Sequence, residues 1–317
     1  MKAYLGIDVG SVSVNIVVLS EQGEVISGLY LRTRGRPIEV IQEGLKEIEK
    51  KLPPEIEICG AGTTGSGRYL AGVMIGADVI KNEITAHAVA ATMIIPDVQT
   101  VIEIGGQDSK IIILRNGVVT DFAMNTVCAA GTGSFLDQQA ARLNIPISKF
   151  GELALQSKNP VRIAGRCTVF AESDMIHKQQ MGHSLPDIIR GLCEALVRNY
   201  LNNVGKGKEI LPPIVFQGGV AANIGIKAAF ERALGQPIII PEYFGIMGAI
   251  GAAQLAKEEV ARTQSTCFKG FKISGLSYCT RSFECNGCSN VCEVVEIVEA
   301  DRVIGRWGSR CSKWDLQ

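Results

Sequence analysis

Residues 100–124 read TVIEIGGQDSKIIILRNGVVTDFAM, a pattern that predicts three short strands joined by two tight turns. The turns carry Gly-Gly and Asn-Gly, and residue pairs of this kind favour hairpins between antiparallel strands. The same order of strands and turns occurs near the start of the chain, in KAYLGIDVG (2–10) and VSVNIVVLSEQGEVISGLYL (12–31). Such an internal repeat predicts two similar α/β halves, and a cleft between two halves is where ligands usually bind.

Composition limits the classes of function. The chain has 317 residues, 46% of them hydrophobic, and its 32 basic and 32 acidic side chains cancel. Nucleic acids and anionic membranes attract an excess of basic charge, so we expect neither as a partner. The N-terminal segment lacks a signal-peptide pattern, and no apolar run reaches the roughly 18 residues of a membrane span. We therefore expect a cytoplasmic protein whose ten cysteines are thiols or metal ligands and not disulfides.

The chain divides into a main body and an appended tail. Residues 1–94 are predicted to form the first half, with a helix over 246–262 returning to it, and residues 95–245 the second half. The Ala-rich stretch AKEEVARTQST ends the body, so residues 263–317 form a cysteine-rich tail.

Each half has a glycine turn that is suited to phosphate. Small residues let the backbone approach a ligand and direct amide N–H groups toward it. Asp8 and Glu103 end the strands before these turns, and a carboxylate beside phosphate implies an intervening Mg²⁺ ion. A third glycine stretch, VFQGGVAAN (215–223), either binds nucleotide or lets a strand and a helix pack closely. None of these stretches is a Walker A loop or a dinucleotide fingerprint.

The order of these elements resembles the actin/sugar-kinase/heat-shock ATPase superfamily. The phosphate and adenosine elements of that superfamily are matched by GIDVGS (6–11), EIGGQDSK (103–110), QGGVA (217–221) and GAIGAA (248–253). Three further motifs are similar to one family within it, the ATP-dependent activators of 2-hydroxyacyl-CoA dehydratases and benzoyl-CoA reductases. They are NEITAHA (82–88), MNTVCAAGTGSFLD (124–137) and CTVFAES (167–173).

The resemblance implies an α/β fold of two ribonuclease-H-like halves around a nucleotide cleft. It also implies a homodimer that shares one oxygen-labile [4Fe-4S] cluster, to which each chain gives Cys128 and Cys167. Such an ATPase uses ATP and Mg²⁺ to pass an electron from ferredoxin or flavodoxin to a partner iron–sulfur dehydratase or reductase, under anaerobic conditions. Each of the two cysteines precedes a helix-like run, and helix N-termini stabilise thiolates and the anionic clusters they hold.

The resemblance also implies roles for single residues. Asp8 and Glu103 would order Mg²⁺ and water, and Gln107 or Asp108 would orient the attacking water. The nucleotide-binding set comprises Gly10, Ser11, Ser13, Gly105, Gly106, Gly131, Gly218 and Gly219.

Some residues depart from the family pattern or carry no expected role. Glu103 and Thr126 stand where the family commonly has Asp. We expect Lys110 to be a solvated or partner-facing charge, and His87 to be a packing or hinge contact. Cys59 and Cys193 have apolar neighbours and are predicted to be buried.

The tail carries a separate cysteine pattern, CTRSFECNGCSNVCEV, which begins at Cys279. Four closely spaced thiols suit a tetrahedral metal site that would stabilise a short tail, and zinc and a second iron–sulfur cluster stay open. The predicted ligands are Cys279, Cys285, Cys288 and Cys292, with Cys267 and Cys311 as spare ligands. The tail would act as an electron relay or as a docking module.

Two other classes of function remain for the body. One is a small-molecule kinase of the same superfamily, which would need a catalytic base and no bridging cluster. The other is a non-catalytic nucleotide sensor or chaperone-like module.

Overall fold

The computed structural model describes residues 1–125, 128–164 and 167–315, which form two compact units. The first unit combines Met1–Val89 with the chain from Gly248 onward, and the second unit is Ala90–Met247. None of the helices in the described part of the chain is both long and apolar enough to cross a membrane.

A five-stranded mixed sheet forms the centre of the first unit. Its strands are β1 (Lys2–Val9), β2 (Ser13–Ser20), β3 (Val25–Arg32), β4 (Glu57–Thr64) and β5 (Val79–Ile80), in the order β3-β2-β1-β4-β5. The helices that follow in the chain are α1 (Pro37–Lys51), α2 (Arg68–Ile75) and α3 (Glu83–Ile94). β1 and β2 are buried almost throughout, because apolar residues on α1 and α2 cover the sheet.

The second unit repeats this arrangement. Its strands are β6 (Thr100–Ile104), β7 (Ser109–Arg115), β8 (Val118–Asn125), β9 (Ile214–Gln217) and β10 (Ile238–Ile239). Its remaining helices are α4 (Gly133–Arg142), α5 (Phe150–Leu155), α6 (Thr168–Gln180), α7 (Leu185–Asn203) and α8 (Ile224–Leu234). The sheet order β8-β7-β6-β9-β10 is that of the first sheet, element for element, which confirms the predicted repeat and the α/β fold class.

Helix α9 (Met247–Thr263) follows the second unit in the chain and packs on the sheet of the first. Two sheet glycines permit this approach. A Cβ on Gly6 would lie 1.9 Å from the carbonyl oxygen of Ala249, and one on Gly62 would lie 2.2 Å from that of Ala252. Backbone-to-backbone contact at this separation excludes any side chain, which explains the small residues of the GAIGAA motif.

The tail forms a three-stranded antiparallel sheet of β11 (Tyr278–Glu284), β12 (Glu293–Glu299) and β13 (Arg302–Trp307), with β12 in the centre. It is attached to the first unit, since Lys269 Nζ donates to the carbonyl of Val73 over 2.7 Å and Gln42 Nε2 to that of Leu276 over 2.7 Å. Gly305 of β13 lies against the Val73 side chain, where its added Cβ would be 2.6 Å from both methyl carbons.

Candidate functional site: repeated carboxylates, glycine turns and paired thiols

In the first unit, the carboxylate of Asp8 lies beside two glycines. A Cβ on Gly65 would lie 2.5 Å from Asp8 Oδ1, and one on Gly248 would lie 2.3 Å from Asp8 Oδ2. Gly65 also has φ +92°, a conformation that L side chains rarely adopt. The loop after β4 and the start of α9 therefore enclose this carboxylate only because both positions lack side chains.

The second unit has the same arrangement around Glu103. Strand register pairs Asp8 with Thr64 and Glu103 with Gln217, so that Gly65 and Gly218 follow equivalent residues. Gly218 has φ +86°, and its Cβ would lie 2.7 Å from Glu103 Oε1. Each unit thus places a carboxylate from its first strand against a left-handed glycine after its fourth strand.

The glycine turns after β1 and β6 also correspond. The N–H of Gly10 donates to the carbonyl of Ser13 over 2.9 Å, and that of Gly105 donates to the carbonyl of Asp108 over 3.0 Å. Both turns reach solvent, because Ser11 and Gln107 are exposed. In the second unit, the first N–H groups of α4 donate to the carbonyls of Gly105 (2.9 Å) and Gly106 (2.8 Å), which fixes the turn.

The residues opposite the two carboxylates differ. Register places Asn15 across from Asp8 and Lys110 across from Glu103. Lys110 is buried, and its Nζ lies 3.0 Å from Glu103 Oε2 and 2.8 Å from Asp108 Oδ2. The expectation of a solvated Lys110 was wrong, because the carboxylate of Glu103 draws this cation into the sheet.

Burial acts to lower the pKa of Lys110, but the charges of Glu103 and Asp108 outweigh it and raise the pKa above its ordinary value. The lysine therefore keeps its proton, and its charge balances Glu103. The carbonyl of Lys110 also accepts a 2.7 Å hydrogen bond from the hydroxyl of Tyr200, which ties strand β7 to helix α7.

Cys128 and Cys167 are both half-buried in the second unit, and each lies at the start of a helical element. The side chain of Asn125 holds the Cys128 backbone, donating to its carbonyl over 2.8 Å and accepting from its N–H over 3.0 Å. Cys167 occupies the N-cap position of the 13-residue helix α6. Gly131 is buried in the 3₁₀ turn that follows Cys128, and Thr126 lies outside the described residues.

Large apolar side chains are exposed close to these cysteines in the chain. Val169 and Phe170, in the first turn of α6, are 67% and 68% exposed, and Phe122 on β8 is 51% exposed. Apolar side chains exposed together are typical of surfaces that another protein covers.

Among the other residues singled out from the sequence, Gly218 is buried and Gly219 is exposed at the turn after β9. His87 is buried within α3. Burial raises the pKa of the Cys193 thiol to about 12, and this residue is a core residue as expected. Cys59, in contrast, is only partly buried.

In the tail, Cys279 lies in strand β11 opposite Val298, whereas Cys285 directly follows that strand. A strand rises about 3.3 Å per residue, so the six-residue step from Cys279 to Cys285 places their backbones roughly 20 Å apart. Over residues 1–125, 128–164 and 167–315, the His, Cys, Asp and Glu side chains form no group of three or more arranged to hold a metal ion.

Sequence reasoning did not identify Gly65 or Asn15. The glycine-rich segment GAGTTGSGR (60–68) carried a signal for the former, since it spans the end of β4 as QGGVAAN (217–223) spans the end of β9. Asn15 could be found only from strand register, because nothing in the sequence states which residue faces Asp8 across the sheet.

Two units of one topology, each with a strand-end carboxylate and a glycine turn, define a protein of the actin-like ATPase class. The chain belongs to the BadF/BadG/BcrA/BcrD ATPase family, whose model matches residues 5–256.

Two relatives show how far this similarity extends. The (R)-2-hydroxyglutaryl-CoA dehydratase activating ATPase of Acidaminococcus fermentans is 38% identical over 266 residues, covering 81% of this chain and 98% of the relative. The activator of the 2-hydroxyisocaproyl-CoA dehydratase from Clostridium difficile has been solved with bound ADPNP. It is 33% identical, covers 83% of this chain and 97% of the relative, and superposes with a TM-score of 0.75.

Proposed function

We propose that this chain is an ATP-dependent electron-transfer activator, which delivers low-potential electrons to a partner iron–sulfur enzyme of the 2-hydroxyacyl-CoA dehydratase or benzoyl-CoA reductase type. The observation that carries the proposal is the family match over residues 5–256 together with two half-buried thiols at helical N-termini, Cys128 and Cys167. Relatives named as dehydratase activators support the class of partner. The external electron donor would be ferredoxin or flavodoxin, and the expected cytoplasmic location stays a prediction.

For the nucleotide, we assign phosphate contacts to the two equivalent turns, at Gly10–Ser13 and Gly105–Asp108. Their exposed Ser11 and Gln107 positions and their small glycine residues suit an anionic ligand. Gly218 and Gly219 would pack on the adenosine, and Gly131 would leave room beside the second turn. The ADPNP in the Clostridium difficile relative supports nucleotide binding in this family.

Mg²⁺ prefers carboxylate oxygens as ligands, so we assign Asp8 and Glu103 to order the metal and its water. Glu103 also lies 3.0 Å from the Lys110 ammonium, which offsets part of its charge. Gln107 or Asp108 would position the attacking water.

The thiols fit half of a [4Fe-4S] cluster. Such a cluster takes four thiolates, and Cys128 and Cys167 supply two, so a symmetric pair of chains would complete the set. The cluster, when bound, would accept and release a single electron. Asn125 would hold the Cys128 backbone in place, and the N-terminus of α6 would stabilise negative charge on Cys167.

Nucleotide would act on the thiols through the turn at Gly105–Asp108. The carbonyls of Gly105 and Gly106 accept hydrogen bonds from Gly133 and Ser134, at the start of the helix that follows Cys128. A phosphate-dependent shift of this turn would therefore move α4 directly. ATP can change the conformation only by binding one arrangement more tightly than the other, so this connection is where that difference would be transmitted.

The proposal is tested on full-length protein purified without oxygen. Iron, acid-labile sulfide and oligomeric state are measured for the parent and for Cys128→Ser and Cys167→Ser, with Cys59→Ser as the matched control. All are made in a background where the six tail cysteines are serine. We expect about four irons per pair of chains in the parent and control, and loss of iron in both site variants.

A second readout is ATP-dependent activation of a 2-hydroxyacyl-CoA dehydratase, which should be lost with the iron. Two results would overturn the proposal: a parent protein that hydrolyses ATP but contains no iron, or iron that remains bound in both cysteine variants. The first of these results would favour the kinase or nucleotide-sensor alternatives.

A further inference from the structure

The cysteines of the tail are separated by the strands in a way that their spacing in the sequence does not reveal. Strand pairing joins Glu284 to Glu293 and Val295 to Trp307, so the end of β11, the start of β12 and the end of β13 lie at one end of the sheet. Cys285 follows β11 directly and Cys292 precedes β12 directly. Cys279 lies near the opposite end, where β12 turns into β13.

The loop between β11 and β12 folds back on itself at this end. The N–H of Cys285 donates to the carbonyl of Cys292 over 2.8 Å, and the N–H of Val291 donates to that of Cys288 over 3.3 Å. The backbone N–H of Gly287 also donates to the Cys285 sulfur. The Cys-x-x-Cys spacing of Cys285 and Cys288 is typical of a metal-binding turn.

The segment after β13 returns to the same place. Trp314 Nε1 donates to Cys285 Sγ over 3.2 Å, and the Trp314 ring packs edge-on against Phe283, with ring centres 5.2 Å apart. A turn closes this segment, because Ser309 Oγ accepts from the Trp314 N–H and the Ser312 N–H donates to the Ser309 carbonyl. Cys311 lies within this turn, which the Trp314 indole connects to Cys285.

We propose that the tail binds a single tetrahedral, thiolate-preferring metal ion of the zinc class through Cys285, Cys288, Cys292 and Cys311. Cys311 takes the place that the sequence spacing gives to Cys279, because the extended strand β11 holds Cys279 roughly 20 Å from Cys285. The four thiols lie on two segments, the loop between β11 and β12 and the segment after β13. The ion draws these two segments together, since metal binding and local folding are coupled in small sites.

The neighbours of these thiols suit the charge of a thiolate-bound ion. The indole N–H of Trp314 and the Gly287 amide already donate to one of the four sulfurs, and the Lys313 ammonium lies 5.5 Å from the centre of the Trp314 ring. Donors of this kind around a metal-bound sulfur orient it and offset its negative charge. The site lies outside residues 5–256, so it does not depend on the function proposed for the body.

The test uses the full chain with Cys128→Ser and Cys167→Ser, which leaves the tail thiols in place and removes the proposed body cluster. The protein is loaded with Zn²⁺ or Co²⁺, and metal content and the cobalt absorption spectrum are measured. We expect one ion per chain and the intense visible bands of tetrahedral cobalt thiolate.

Ligand choice is tested by comparing Cys311→Ser with Cys279→Ser in that background. Cys311→Ser should weaken Co²⁺ binding at least about tenfold, and Trp314→Phe about tenfold, since outer-shell changes alone cost 10–100-fold. Cys279→Ser and Cys267→Ser should bind Co²⁺ as the parent does. Circular dichroism and urea unfolding confirm that each variant is folded.

Three results would overturn the proposal: no bound ion in the folded parent, equal losses for Cys279→Ser and Cys311→Ser, or iron with stoichiometric sulfide in the tail. The last result would assign an iron–sulfur cluster to these thiols. Each of these results leaves the iron content predicted for the body unaffected, so failure of one proposal is distinguishable from failure of the other.

Discussion

The two units share one topology but differ at the residue that faces the strand-end carboxylate. Asp8 faces Asn15 and Glu103 faces Lys110, at the same position of the same strand pair. Both carboxylates lie against a left-handed glycine, Gly65 or Gly218. The repeat therefore preserves the shape of the site and changes the residue across the strand from the carboxylate, which is a neutral amide in the first unit and a cation in the second.

Equivalent positions of a duplicated fold therefore need not share a role. A buried ion pair is costly to break, because removing one partner leaves a charge without compensation. We interpret the Glu103–Lys110 ion pair as a fixed part of the turn in the second unit, and this pair has no equivalent at Asp8 and Asn15 across the strand pair of the first unit.

The largest expected effect comes from removing the cation that distinguishes the units. Lys110→Met should lower the free energy of unfolding of the second unit by about 3–5 kcal/mol, because Glu103 is left buried without its partner. The matched control in the first unit is Asn15→Leu, whose Oδ1 has no hydrogen-bond partner among the described residues, and it should be nearly neutral. Native-state hydrogen exchange of β2 and β7 amides measures both effects, and equal losses in the two units would contradict the comparison.

The next-largest effect concerns a feature that both units share, the glycine packed against the strand-end carboxylate. Gly65→Ala and Gly218→Ala should each cost about 1–3 kcal/mol, because a methyl group would overlap both the carboxylate and a backbone carbonyl. Gly235→Ala is the control, since this glycine has φ +64° but nothing within 4 Å of its added Cβ. It isolates the backbone strain alone.

Urea unfolding and ATP hydrolysis are the measurements for these glycines. Hydrolysis should fall in the first two variants and not in the control. If Gly218→Ala behaved as Gly235→Ala does, the close contact with Glu103 would not be needed.

A smaller effect is expected from the carboxylates themselves. Asp8→Asn should raise the Mg²⁺ concentration needed for half-maximal ATP hydrolysis by about tenfold or more, as loss of an acidic group near a metal does. Glu103→Gln should raise it much less, because Lys110 already offsets that charge and would keep its contact with Asp108. Magnesium titrations of both variants measure this, and a larger shift for Glu103→Gln than for Asp8→Asn would contradict this expectation.

The smallest expected effect is a change in the free energy of unfolding at acid pH. Hydrogen bonds from Ser184 and Ser157, with backbone N–H groups, lower the pKa of Asp187 at the start of α7 from 3.8 to about 2. A carboxylate with a lowered pKa stabilises the fold above its ordinary pKa, and that contribution is lost as the pH falls from about 4 to about 2. By comparison, no side chain caps the start of helix α1 among the described residues of the first unit.

The measurement is urea unfolding of the wild type and Asp187→Asn between pH 5.5 and pH 3. The stability difference between them should shrink as the pH falls, and Asp97→Asn, which removes an exposed carboxylate of the same unit, should show no such trend. A difference that stays constant with pH would contradict this origin of the stability.

Much of the body could be predicted from sequence, because its signals are local. Alternating apolar residues with Gly-Gly and Asn-Gly turns indicate hairpins, and finding them twice indicates the repeat. The glycine turns at Gly10 and Gly105 were predicted in this way, whereas Cys128 and Cys167 were singled out by the resemblance to the activator family. The burial of Lys110 was not predicted, because it depends on a carboxylate seven residues away that only the strand register brings opposite it.

The tail is a second region where the sequence did not reveal which residues lie close together. Its cysteine spacing is visible in the sequence and suggested four neighbouring ligands, yet spacing does not say whether the chain between two cysteines is a turn or an extended strand. The sequence by itself determined which elements form and which residue types are available for chemistry, since these follow from neighbours along the chain. Only the tertiary structure decided which of those residues face each other, because pairing across a sheet is set by register and packing over long separations.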